Sequence, residues 1–340
     1  MRTIFFSVGY NNLISRDFIN EIEVYSDKIS EIYFSFGGFA NGRGNLFSKE
    51  NSVFERDLKQ IEDLRKLNQL GLKFNFLLNG NCYGKDAQAR SFFCEIGDTI
   101  DYLKEICNVS CVTTTSPLIA KFIKQNFDNL EVRASVNMEI GNAEGMDYIS
   151  EFFDSFYLKR EYNRDINKIK SARLWCDNNG KNLYGLANSG CLNYCSVHNF
   201  HDNLVAHESE ISKMDNAYQF EGQCWEYLKN QEKCNNWLRI SNFIRPEDVH
   251  LYEGLFDGLK LATRVNKNLL KIVKAYCNGS YNGAVTELLE PDHSSVFYPC
   301  VIDNKSIASD FTNTVMNCSK NCNDCKYCGE VQKNATVVLE

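Results

Sequence analysis

Short apolar runs alternate with longer amphipathic stretches along most of this chain, a pattern that predicts repeated strand–helix units. Thr3 to Val8 reads as a strand of aromatic and branched residues, followed by a polar turn at Gly9 to Asn12. A helical pattern then runs from Ser15, a candidate N-cap, to about Lys28. Glu31 to Phe36 is the second strand; it opens into the glycine-rich loop Gly37 to Gly44, and a helix of about twenty residues follows, stopping at Gly71. Leu72 to Leu78 is the third strand, and the helix from about Asp86 places Ile96, Ile100, Leu103 and Ile106 on one face. Cys111 to Thr115 is the fourth, with Ser116-Pro117 opening its helix and Gln125 to Asn129 closing it.

The fifth strand spans Val132 to Ile140, with Arg133, Ser135, Asn137 and Glu139 alternating against apolar partners, and its helix follows Gly145. Ser155 to Leu158 is the sixth, and Asp165 caps a helix to about Asn178. Leu183 to Ala187 is the seventh, ending in the turn Asn188-Ser189-Gly190. After an insertion, Arg245-Pro246-Glu247-Asp248 begins a short helix, Gly258 to Ala262 forms the eighth strand, and Val265 to Tyr276 its helix. Eight such units predict an α/β fold, a closed (β/α)8 TIM-like barrel with its site at the C-terminal strand ends. The rival, an open doubly wound sheet, would bind a ligand only where the strand order reverses. We read residues 1–280 as the barrel, with a cysteine-containing insertion at about 191–245, and residues 281–340 as a cysteine-rich C-terminal extension.

Composition is that of a globular protein: 340 residues, 44% hydrophobic, 24% charged, and only four prolines, which argues against long linkers. A net charge of -7 provides no general pull toward nucleic acid or anionic membrane, so an RNA substrate would need a local basic patch. The apolar run near the N-terminus is too short for a signal peptide or a span and reads as a strand. Fifteen cysteines, an odd number with no secretion signal, argue for reduced thiols in a cytoplasmic protein, many of them binding metal.

Cys318, Cys322, Cys325 and Cys328 form C-x3-C-x2-C-x2-C, tight enough for a thiolate-ligated cluster. A compact run of four is closer to ferredoxin usage than to zinc ribbons, which favours [4Fe-4S], with zinc as the alternative at this C-terminal site. Its first three cysteines match the triad of radical S-adenosylmethionine enzymes, but that triad follows the first barrel strand and leaves one iron open, whereas here it sits at the C-terminus with Cys328 available as a fourth ligand. A second set, Cys191, Cys195, Cys224 and Cys234, lies between strands seven and eight and is expected to converge at the barrel mouth. His198, His201 and His207 fall nearby, with a histidine as a possible substitute ligand. Any one of these thiols has an alternative reading as a small core hydrophobe. The glycine-rich loop could cradle a phosphate, yet it lacks the Lys-Ser/Thr ending of a P-loop; the alternative is a flexible lid.

Several pieces of the chain resemble the peptidase U-32 (collagenase-like) family, over roughly residues 1–275. They are Leu158-Lys159-Arg160-Glu161-Tyr162-Asn163-Arg164-Asp165, similar to the family's "aRE-lsl-eI" run, the strand end Asn188-Ser189-Gly190-Cys191, and Gly254 to Arg264, similar to "G-(x)-d-x-x-K-i-x-gR". The resemblance implies a barrel with an iron–sulfur cluster near strand seven, in a family first described as peptidases, with some members in oxygen-independent hydroxylation of ubiquinone precursors or RNA bases. It would make Cys191 and Cys195 ligands and put Arg160, Lys260 and Arg264 at the mouth. Where the family carries its "GALC...GxC" block this chain has Asn188 to Cys195, so the remaining ligands are sought at Cys224 and Cys234.

Three functions then compete. A peptidase needs a nucleophile–base pair or a hydrolytic metal with an open position, and the chain has neither HExxH nor GxSxG. A redox tailoring enzyme would hold one or two [4Fe-4S] clusters, with Arg160, Asn188, Lys260 and Arg264 as catalytic candidates and Asn79, Arg133 and Asn137 orienting the substrate. That substrate would be an RNA, a peptide or a small aromatic, and the enzyme would need an electron donor, with a homologous protein as a further candidate partner and no membrane. A non-catalytic Fe-S electron-transfer or scaffold protein fits the tail equally well.

Overall fold

The computed structural model describes residues 3–11, 15–43 and 53–339. Asn12 of the first predicted turn and Gly44 of the glycine-rich loop lie outside them, as does the side chain of the candidate cap Ser15.

Eight parallel strands close into a barrel in sequence order. They are β1 Phe5–Gly9, β2 Ile29–Phe34, β3 Lys73–Leu78, β4 Cys111–Thr114, β5 Glu131–Ala134, β6 Ser155–Tyr157, β7 Asn182–Leu186 and β8 Gly258–Leu261. β8 pairs back onto β1, Lys260 against Ser7, so no edge is left open. Around them run α1 Ser15–Val24, α2 Val53–Asn68, α3 Arg90–Cys107, α4 Pro117–Asn126, α5 Ala143–Asp147, α6 Ile166–Asn178, α7 His198–Ala206 and, after β8, α8 Leu269–Asn278.

Local chemistry sets the boundaries. Ser116 Oγ accepts the Ile119 N–H and Asp165 Oδ1 the Lys168 N–H, so both predicted caps open their helices. β5 stops at Ala134, short of the expected Ile140, because Ser135 Oγ accepts the Asn137 N–H at 3.2 Å and bends the chain into a tight turn. α8 starts at Leu269 and not Val265, since Asn266 Oδ1 accepts the Asn268 N–H at 2.7 Å and holds the preceding residues in a turn.

The insertion after β7 is built from short helices, anchored by Trp237, which is fully buried and stacks on Phe243 at 5.4 Å. Arg164 ties it to the barrel: its guanidinium donates to the carbonyls of Leu238 (2.8 Å), Ser241 (2.9 Å) and Phe243 (3.2 Å). The extension contributes an antiparallel pair, β9 Cys300–Ile302 with β10 Thr336–Val338, the one-turn helix Ser294–Phe297, and the longer helices α9 Phe311–Asn317 and α10 Tyr327–Ala335. Ile302, Ile307, Phe311 and Val315 belong to the same buried apolar cluster as the barrel strands. Among the described residues no helix is long and apolar enough to cross a membrane.

Candidate functional site at the barrel mouth

The barrel interior is polar. Arg133 on β5 is 1% exposed and forms a buried ion pair with Glu31 on β2 at 2.9 Å, a second with Glu131 at 2.9 Å, and a cation–π contact with Tyr184 at 3.8 Å. Burial would raise the Glu31 carboxyl, but the Arg133 charge and hydrogen bonds from Asn75, Arg133 and Ser7 outweigh it and hold Glu31 below the usual carboxylate range. The structure therefore corrects the expectation that Arg133 orients a substrate: its guanidinium is committed to carboxylates inside the barrel. Lys260, on β8, also points inward, its Nζ 3.9 Å from the Tyr33 ring centroid. Burial, with Arg264 next, lowers its amine from the ordinary 10.5 to about 7.

Asn188 is a second correction. It is fully buried and its amide is used up: Nδ2 donates to the carbonyls of Ala262 (3.0 Å) and Leu288 (2.9 Å), and Oδ1 accepts the Ala262 N–H at 2.5 Å. It locks the end of β7 to the end of β8 and to the segment that crosses the mouth.

Above this layer the predicted residues meet. Arg160 donates to Asn137 Oδ1 at 3.1 Å and to the Cys191 sulfur at 3.4 Å. Arg264 donates to Asn41 Oδ1 at 2.6 Å, and Asn79 Oδ1 accepts the Gly42 N–H at 3.1 Å, so the loop after β2 is held over the mouth. A side chain at Gly42 would strike Asn137, 2.3 Å from the position a Cβ would take. Arg43, which the sequence reading did not single out, pairs with Glu290 at 3.0 Å. A cavity of about 520 Å³ opens here, lined by Cys191, Cys195, His198, His201, Cys224 and Glu290 among others. Burial, and then the charge of neighbouring Cys191, pushes the Cys224 thiol up to about 11, with Cys195 adding to it. Three of the four predicted thiols therefore converge.

Cys234 does not join them, a third correction. It is 4% exposed, faces the Val296 carbonyl and the Cys300 thiol, and its own carbonyl accepts from Gln332 of α10 at 2.7 Å. The insertion turns away from the mouth at this point because α10 packs on it. The tail cysteines sit together: burial raises the Cys328 thiol, with Cys318, Cys322 and Cys325 adding further negative charge beside it.

Several groups escaped the sequence reading. Cys82, in the loop after β3, lies beside His207, whose Nδ1 lies 3.1 Å from Glu210 Oε2, and it accepts the Gly84 N–H at 3.4 Å. The neighbouring His207 ring first, then the Gly84 N–H, hold this thiol below the usual range, while Cys82 raises the His207 imidazole. Buried polar atoms without a hydrogen-bond partner gather nearby: Glu290 Oε2, Arg264 Nη1, Glu161 Oε2 and His198 Nε2. Such atoms are uncommon in folded proteins. The histidine cluster 198–207 was the visible signal, with Asp202 and Glu210 close by in the chain; Glu139, Glu161 and Cys82 come from 37 or more residues away and carry none.

The chain is 28% identical over 345 residues to a protein of Methanocaldococcus jannaschii named as an uncharacterized protease, covering 94% of each chain. Among solved structures, the U32 peptidase Mk0906 matches with a TM-score of 0.55 at 14% identity, over 76% of this chain and 92% of that one. At that identity the likeness shows the barrel fold. No family model matches the chain.

Proposed function

Since the protease relative and the U32 peptidase structure together support assignment to the U32 peptidase family, we propose that this protein is an iron–sulfur barrel enzyme modifying its substrate by oxygen-independent redox chemistry. The observation that carries the reading is the meeting of Cys191, Cys195 and Cys224 with Arg160, Arg43 and Arg264 at the C-terminal end of the barrel.

The donor sets suit clusters. Both sets are rich in thiolates, the usual ligands of iron–sulfur clusters. Cys191, Cys195 and Cys224 would hold one [4Fe-4S] cluster, and Cys318, Cys322, Cys325 and Cys328 a second. A bound cluster supplies one-electron transfer at the mouth. The chain's own groups do the rest. The unpaired Arg264 Nη1 donates to a polar or anionic group of the substrate, the unpaired Glu290 Oε2 accepts from a donor on it, the loop after β2 covers it, and Lys260, with an amine near neutrality, holds or moves a proton. The substrate is an RNA, a peptide or a small aromatic, and an electron donor, with a homologous protein as a further candidate, supplies the tail cluster in the cytoplasm.

Anaerobic purification with iron, sulfide and zinc analysis, and electron paramagnetic resonance after reduction, tests this on the wild type, Cys191→Ala and Cys325→Ala. We expect about eight irons per chain, falling by about half in each variant. Zinc without sulfide would sink the redox reading.

A thiol hydrolase is the second reading, favoured by Cys82, His207 and Glu210. Cys82 Sγ would attack an amide carbonyl, His207 would pass the proton to the leaving amine, and water would release the thioester. Cys82→Ser then abolishes peptide cleavage and leaves the iron content unchanged; cleavage surviving in that variant removes this reading.

A further inference from the structure

We propose that Glu139, Glu161 and His198 form a binding site for a divalent first-row cation, separate from both cysteine sets. The three come from different elements. Glu139 closes the turn after β5, Glu161 lies in the turn after β6, and His198 is the first residue of α7. One carboxylate oxygen from each glutamate and one ring nitrogen of the histidine all lie within 4.8 Å of one another, the only such set among the described residues. Glu139 reaches this position through a left-handed backbone conformation, φ +52°, which a non-glycine residue seldom adopts.

Burial separates this set from an ordinary acidic cluster. Glu161 and His198 are each 7% exposed, and Glu161 Oε2 and His198 Nε2 have no hydrogen-bond partner. Asp202 Oδ2 lies 3.3 Å from that nitrogen without hydrogen-bond geometry. Leaving such atoms dry and unpaired is unfavourable, and a cation between them removes the deficit. His198 Nδ1 lies 2.5 Å from Glu139 Oε1, which fixes the orientation of the ring.

The charge balance allows it. Glu139, Glu161 and Asp202 bring three negative charges; Lys159, 3.6 Å from Glu139, and Arg160, which faces both Glu139 and His198, bring two positive ones. Thiolates are absent from the set, so soft ions are disfavoured, and two carboxylates with one imidazole suit Mn2+, Fe2+ or Zn2+. His198 also lines the 520 Å³ cavity, which places the ion against the same space as Cys191.

Mn2+ is the probe, because it avoids thiolates. The full-length protein is titrated with Mn2+ and the free-ion electron paramagnetic resonance signal followed. We expect about one Mn2+ per chain, an affinity about tenfold or more weaker in Glu161→Gln and His198→Asn, and no change in Cys195→Ala. Electron spin-echo modulation from the imidazole nitrogen, read on the wild type, requires no variant to fold. The site is overturned if the free-ion signal persists, if the nitrogen modulation is missing, or if folded Glu161→Gln binds as tightly as the wild type. It is equally overturned if the Cys195→Ala variant loses the ion. Iron content read on the same samples reports the cluster reading separately, so either can fail alone.

Discussion

At the level of single residues, the barrel interior explains why charge can be buried here. Arg133 and Glu31 satisfy one another, and removing one partner from such a pair leaves an uncompensated charge. Lys260 has no such carboxylate at contact and answers burial by losing its proton more readily. Its folded amine titrates near 7 against 10.5 when unfolded, so between those values the unfolded chain binds more protons and stability rises with pH. Below about pH 7 both states are protonated, and the full penalty of a buried ammonium applies. Lys260→Met is therefore expected to melt higher than the wild type at pH 6, by up to a few kcal/mol in unfolding free energy, with the gap closing toward pH 10. Melting curves of the two proteins at matched pH check this; a gap that stays constant with pH would refute the buried ammonium.

At the level of elements, the mouth is shaped by how closely the strand ends approach the crossing segment 288–292. Gly190, just after β7, donates its N–H to the Glu290 carbonyl at 2.9 Å. A Cβ there would stand 2.0 Å from the Pro291 carbonyl oxygen, a backbone atom that cannot swing aside. Only glycine fits. Gly190→Ala must push residues 290–292 away, and overpacking of this kind costs about 1–3 kcal/mol. The displacement also carries Glu290 off Arg43, so chemical denaturation should show the loss of stability while iron retention at Cys191 falls. An alanine variant of wild-type stability would show that the segment moves freely. The same approach explains how Asn188 is held: it is fully buried, and its amide nitrogen donates to the Ala262 and Leu288 carbonyls inside the fold.

Across the whole molecule, the extension is continuous with the barrel core. Ile302, Ile307, Phe311 and Val315 are buried in the shared cluster, each worth about 1.5–3 kcal/mol on burial, and their sum is comparable with the roughly 5–15 kcal/mol that holds an entire domain. Deleting residues 281–340 also removes the Leu288 carbonyl from Asn188 and the Asn304 and Ile307 carbonyls from Arg245. The truncated chain is expected to lose cooperative unfolding, measured by circular dichroism in urea; a sharp transition at the wild-type midpoint would contradict this. By itself the sequence determined the eight strand–helix units, because hydrophobic period and caps such as Ser116 and Asp165 are local properties. It also determined the four-cysteine tail, whose cysteines lie within one short stretch. The tertiary structure alone decided which distant groups meet. Closure of the barrel turns Arg133 inward onto Glu31, packing of α10 on the insertion takes Cys234 from the mouth, and three separate loops bring Glu139, Glu161 and His198 together. Those outcomes depend on contacts between residues far apart in the chain, and no local spacing encodes them.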